Sequence, residues 1–133
     1  MIFLDANFLI ALFMGDHRQN KEAFKIWNKI KHDELVISNS IVLEVITVMN
    51  INLKVSKEVL EDVYINLNSN LFNMIDDTIF YNETMERLVD YFPERLSFFD
   101  CLYIEIMEQL GITQIATFDK HFNNKEIEVI SAY

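Results

Sequence analysis

The chain has 133 residues, 51% hydrophobic and 13% aromatic, and its 11 Lys and Arg against 21 Asp and Glu give a formal charge of −10. That length and apolar content suffice for one substantial core, while the acidity excludes the broad basic face with which non-specific nucleic-acid binders meet phosphate. No apolar run reaches the roughly 20 residues of a membrane span, the lone Cys101 excludes an internal disulfide, and Met1 to Asp5 lacks the basic region of a secretory signal, so a cytoplasmic chain with no membrane role is expected.

Only two glycines and one proline occur, and no Ser-, Gly- or Pro-rich stretch divides the chain. A single domain over residues 1–133 is therefore expected, without linker or internal repeat. Met1 to Leu4 is a short apolar run ended by Asp5, and Phe8 to Phe13 continues apolar to the break at Gly15-Asp16. This pattern predicts strand, turn and short buried helix. Between Arg18 and Lys31, Ala23, Ile26, Trp27 and Ile30 recur at helical spacing opposite Lys21, Lys25 and Lys29, the mark of an amphipathic helix. Leu35-Val36-Ile37 reads as a strand, after which Ser38 or Ser40 can cap a helix from Ile41 to Met49.

Ser56 suits the cap of a further amphipathic helix, with Val59, Leu60, Val63, Tyr64 and Leu67 on one face. Leu71 to Ile75 reads as a strand. Asp76, Asp77 or Thr78 then opens a helix whose apolar face is Tyr81, Met85, Leu88, Val89 and Phe92, ending before Pro93. A last helix is predicted from Phe98 to Leu110, stopped by Gly111, with strands at Ile115 to Phe118 and Ile127 to Ile130. Strands alternating with helices imply an α/β fold with a mainly parallel central sheet flanked by helices on both faces.

In such a sheet, ligands gather beyond the carboxyl ends of the strands. Asp5 and Asp119 both follow predicted strands directly. Glu44 is the only charge in Ile41 to Met49, on a helix apolar nearly all round, and a carboxylate buried there without a partner costs several kcal/mol or shifts its pKa. Asp100 likewise interrupts the apolar run from Leu96 to Ile104 near the first turn of its helix. Four clustered carboxylates repel unless a cation sits among them. No Cys and His spacing competes for it, and an all-oxygen set selects Mg²⁺ or Mn²⁺. Such ions activate water and stabilise the oxygens of an in-line phosphoryl displacement, which points to phosphodiester hydrolysis.

Each residue also has a structural reading. Asp5 fits a strand-end cap, Glu44 a buried ion pair, Asp100 a first-turn helix acid and Asp119 a turn cap. The remaining acids, Glu105 and Glu108 among them, read as solvated faces, Asp76 and Asp77 as helix caps, and each His as surface or core packing. Arg18, Lys21, Lys54, Arg87, Arg95 and Lys120 are candidates for phosphate contact, with Arg87 and Lys120 favoured as neighbours of the acidic set.

Four segments together resemble a known family. Met1 to Ile10, Ile41 to Val45, Leu96 to Cys101 and Ile115 to Phe122 look like the successive motifs of the PIN domains, in particular of the VapC-type toxins of toxin-antitoxin modules. The resemblance spans almost the whole chain with order and spacing preserved. It implies a three-layer α/β/α fold and a Mg²⁺- or Mn²⁺-dependent endoribonuclease in which Asp5, Glu44, Asp100 and Asp119 hold metal or position water, with Asn7 and Thr117 orienting them. It also implies an RNA substrate, a cognate antitoxin protein and a homodimer. One departure is Ala6, where the family often has Thr or Ser. Two rival readings are a non-catalytic RNA- or protein-interaction domain on the same fold, and a phosphatase with a nucleophilic Asp after its first strand, for which Asp5-Ala6-Asn7 lacks the usual second carboxylate.

Overall fold

The computed structural model describes residues 1–133. Five parallel strands lie in the order β3-β2-β1-β4-β5, with β1 at Ile2–Leu4, β2 at Leu35–Ser38, β3 at Asn73–Ile75, β4 at Gln114–Ala116 and β5 at Glu128–Val129. Parallel neighbours need crossover connections, and these are helical: α1 (Ala6–Phe13) and α2 (Asn20–Ile30) before β2, α3 (Asn39–Thr47) and α4 (Lys57–Leu67) before β3, and α5 (Tyr81–Asp90) and α6 (Phe98–Leu110) before β4. The chain steps outward from β1 through β2 to β3 and then returns past β1 to β4. Right-handed crossovers therefore set α1 to α4 on one face and α5 with α6 on the other. The packing agrees, since α1 meets α2 and α3, α3 meets α4, and α5 meets α6. The result is the expected α/β/α sandwich.

The central strands β1 and β2 are buried at every position, as a sheet covered on both faces requires. One cluster of buried apolar side chains runs from Ile2 to Phe122 and includes Phe3, Leu4, Ile37, Leu102 and Ile115. The strands are shorter than the apolar runs that announce them. Leu71 and Phe72 precede β3, and Thr117 and Phe118 lie beyond β4. Once the ladder to a neighbour ends, β-propensity alone holds no strand.

The helices follow their caps. The Ser56 hydroxyl accepts the Val59 N–H at 3.2 Å and starts α4, the Ser97 hydroxyl accepts the Asp100 N–H at 3.1 Å and starts α6, and Gly111 ends α6 at φ +69°. Three expectations are corrected. The helix of Glu44, apolar nearly all round, is not buried all round, because Leu43 is 64% exposed and Glu44 itself half-buried, and after Thr47 it widens into a π-helical turn over Val48–Asn52. Neither Ser38 nor Ser40 caps α3 with its side chain: the buried Ser38 hydroxyl makes no hydrogen bond, and the Ser40 N–H donates instead to Asp77 Oδ2 at 3.0 Å. Finally, Met85 and Val89 on α5 face outward, 54% and 63% exposed, because that helix packs on α6 through its other side.

Candidate active site

Parallel pairing of β1 with β4 aligns Leu4 with Ala116, so the residues that follow, Asp5 and Thr117, leave the sheet side by side. Asp5 is the N-cap of α1. Its Oδ1 accepts the Ala6 N–H at 2.8 Å, and its Oδ2 accepts the Thr117 hydroxyl at 2.7 Å and, more weakly, the Asn7 amide at 3.4 Å. Asn7 Oδ1 in turn accepts the Phe118 N–H at 3.0 Å, and Thr117 Oγ1 accepts the Asp119 N–H at 3.0 Å. This mesh fixes the paths of both chain segments leaving the sheet. The Ala6 side chain contributes no polar group; only its backbone N–H does.

Glu44 reaches the same place from α3, where Tyr103 on α6 donates its phenolic hydrogen to Glu44 Oε1 at 2.7 Å. Tyr103 is buried with its ring 5.3 Å from that of Phe3, so a side chain packed on β1 aims the carboxylate of a distant helix. Asp100 stands in the first turn of α6 and Asp119 caps the short 3₁₀ turn Lys120–Phe122. His121 joins these two: its Nδ1 lies 2.9 Å from Asp100 Oδ2 and 3.2 Å from Asp119 Oδ1, while its N–H donates to Asp119 Oδ1 at 2.9 Å. One ligand atom from each of Asp100, Asp119 and His121 falls within 4.8 Å of the others.

The electrostatics of the four acids are coupled. Burial raises the Asp5 carboxyl to about 7, opposed by the hydrogen bonds from Thr117 and Ala6 and reinforced by the charges of Glu44 and Asp100. Burial also raises Glu44, against the Tyr103 hydrogen bond and with the help of the Asp100 charge. Asp100 is raised by burial, opposed by its His121 hydrogen bond and reinforced by Asp119. No lysine or arginine forms an ion pair with any of them. A group of mutually repelling, partly desolvated carboxylates with no lysine or arginine among them suits a divalent cation, and its donors are hard oxygens with one imidazole at the rim.

The four acids named from sequence thus meet at one edge of the sheet, brought by β1, α3, α6 and the turn after β4. Asn7 and Thr117 lie among them. Two neighbours escaped the sequence reading. Tyr103 gives no signal beyond an aromatic on a helix, and His121, read as surface or core packing, follows Asp119 by two positions and is half exposed at the rim of the site. Two further readings are corrected. Arg87 is not a neighbour of the site: its Nε lies 2.6 Å from Glu105 Oε2 on the second half of α6, and its Nη2 pairs with Glu108. Glu105 accordingly is buried and paired rather than solvated. Asp77 caps no turn of its own helix. It clamps α3 to the end of β3, donating its N–H to Asn39 Oδ1 at 2.8 Å and accepting the Ser40 N–H. Lys120 is exposed beside Asp119.

Comparison with known proteins adds the following. The family model described as PIN domain matches residues 2–128. No curated protein matches the chain by sequence. Among solved structures, the chain is similar to Mycobacterium tuberculosis VapC20 (Rv2549c), a toxin that cleaves the sarcin-ricin loop, with a TM-score of 0.87, 20% identity, and coverage of 98% of this chain and 99% of that one. It is also similar to PAE2754 from Pyrobaculum aerophilum, with a TM-score of 0.66, 20% identity, and coverage of 98% and 88%. At that identity these two likenesses speak for the fold.

Proposed function

This chain belongs to the PIN domain family, and on that premise we propose that it is a metal-dependent endoribonuclease acting as the toxin of a type II toxin-antitoxin pair, with residues 1–133 as one nuclease domain. The observation that supports this reading most is the convergence of Asp5, Glu44, Asp100 and Asp119, from four separate elements, into a group with no lysine or arginine partner. Structural caps and ion pairs explain each acid singly, but they do not explain why the charges of Glu44 and Asp100 bear on Asp5, that of Asp100 on Glu44 and that of Asp119 on Asp100. The fold it shares with a sarcin-ricin loop cleaving toxin supports RNA as the substrate class.

Asp5, Glu44, Asp100 and Asp119 would hold Mg²⁺ or Mn²⁺. When bound, the ion supplies an activated water and neutralises charge on the phosphoryl oxygens. The chain's own residues prepare for that. Thr117 and the Ala6 N–H fix both oxygens of Asp5, Tyr103 fixes one oxygen of Glu44, and the mesh through Asn7 sets the distance between the two strand ends. Glu44, half-buried and raised in pKa, would bind the ion or help position the attacking water. An ion within the group also lowers the local negative potential that would otherwise repel a polyanion, so a chain of charge −10 can accept RNA at this point.

Purified protein given RNA with Mg²⁺ or Mn²⁺ should cut it, and chelation, Asp5→Asn and Asp100→Asn should each abolish cutting while the circular dichroism spectrum is retained. Protein that binds RNA and metal yet never cuts would leave only the interaction-domain reading. The acidic surface also suits an antitoxin with a basic segment over the site, and co-purification with such a partner tests that part.

A further inference from the structure

Beyond the four acids, the imidazole of His121 lies against Asp100 and Asp119 at distances that a shared ion would also give. In an octahedral site with bonds of about 2.1 Å, adjacent ligand atoms stand about 3.0 Å apart. His121 Nδ1 lies 2.9 Å from Asp100 Oδ2 and 3.2 Å from Asp119 Oδ1, so the three atoms already have two of the edges such a site requires. The backbone assists, because the His121 N–H donates to the same Asp119 oxygen and closes the turn that brings the ring over the carboxylates. The side chain is 54% exposed, which leaves Nε2 open to solvent, and Nδ1, which here is hydrogen-bonded to Asp100, would offer its lone pair to an ion that takes the place of that hydrogen. His17 lines the same cleft as Asn7 and Glu44, but its Nδ1 is occupied by the Gln19 N–H at 3.1 Å.

We propose that His121 Nδ1 is a direct nitrogen ligand to the ion held by Asp100 and Asp119, and that this mixed nitrogen and oxygen set makes the site prefer Mn²⁺ to Mg²⁺. The inference rests on the acidic-centre reading above and sharpens it. Imidazole binds first-row transition ions well and contributes little to Mg²⁺, which keeps oxygen ligands and water. The competing role is a hydrogen bond that merely orients Asp100.

The test uses Mn²⁺ or Mg²⁺ alone with the full chain, by calorimetry and by electron spin-echo modulation of bound Mn²⁺. Wild type should show ¹⁴N modulation of the imidazole type. His121→Ala and His121→Asn should lose that modulation and about tenfold or more of Mn²⁺ affinity, while Mg²⁺ affinity changes by less than about threefold. Asn keeps a side-chain N–H for Asp100, so full Mn²⁺ affinity in His121→Asn, or wild-type Mn²⁺ without nitrogen modulation, overturns the ligand role and leaves the acidic centre standing. Wild type that binds neither ion, or binds Mn²⁺ equally well as Asp100→Asn, removes the acidic centre itself and the ligand role with it. The exposed position of His121 makes both variants tolerable to the fold, and circular dichroism checks this.

Discussion

Thr117 donates its hydroxyl hydrogen to Asp5 Oδ2 at 2.7 Å and accepts the Asp119 N–H at 3.0 Å, so one small side chain holds two acids that are far apart in sequence. Thr117→Val keeps the shape and removes both bonds, leaving a buried carboxylate oxygen short of a donor. We expect a loss of about 1–3 kcal/mol of stability, read from denaturant midpoints, together with weaker metal binding. Unchanged metal affinity would show that the mesh does not position the acids.

The metal-free protein should become less stable as pH rises. Asp5 has an ordinary value of 3.8 and a folded-state value of about 7, so between about pH 4 and pH 7 the folded chain holds a proton that the unfolded chain has released. Stability from this group is therefore full below about pH 4, falls through that window with a slope of at most about 1.4 kcal/mol per pH unit, and is level above it. Glu44 and Asp100, also raised, act in the same direction. Asp5→Asn should flatten the slope of melting temperature against pH, and saturating Mn²⁺ should raise the melting temperature most at neutral pH, where the ligands are ionised. An unchanged slope in Asp5→Asn would assign it to other groups.

Tyr103 serves Glu44 through a single hydrogen bond of 2.7 Å, which holds the Glu44 carboxyl lower than burial alone would. Tyr103→Phe removes only that oxygen, so the Glu44 pKa should rise further. The acid limb of the RNA-cleavage pH profile should then move to higher pH, with the circular dichroism spectrum unchanged. A uniform fall in rate at every pH would instead indicate displacement of Glu44.

Asp77, buried and far from the acids in sequence, accepts the Ser40 N–H and gives its own N–H to Asn39. Asp77→Ala should cost about 1–3 kcal/mol through the lost cap of α3. Because α3 carries Glu44, Mn²⁺ affinity should fall as well. Asp77→Asn, which keeps an accepting oxygen, should recover most of both losses, and a variant as stable as wild type would show that the cap is redundant.

The sequence by itself determined the layer order, the helix starts at Ser56 and Phe98 and the stop at Gly111, and it singled out the four acids as candidates. Those features are local: caps act over three residues, periodicity over two turns, and an acid stands out wherever its neighbours are apolar. Tertiary structure decided what depends on distant partners. Strand lengths are set by the neighbouring ladder. The exposure of Met85 and Val89 depends on which side of α5 meets α6. Arg87 looked like a free cation until Glu105 and Glu108 came beside it, and Asp77 looked like a local cap until the β2 and β3 pairing carried it to the start of α3. Tyr103 and His121 reach the site for the same reason. Their side chains span gaps between elements, and only the register of β1 with β4 and the seating of α6 on the sheet set those gaps to hydrogen-bond length.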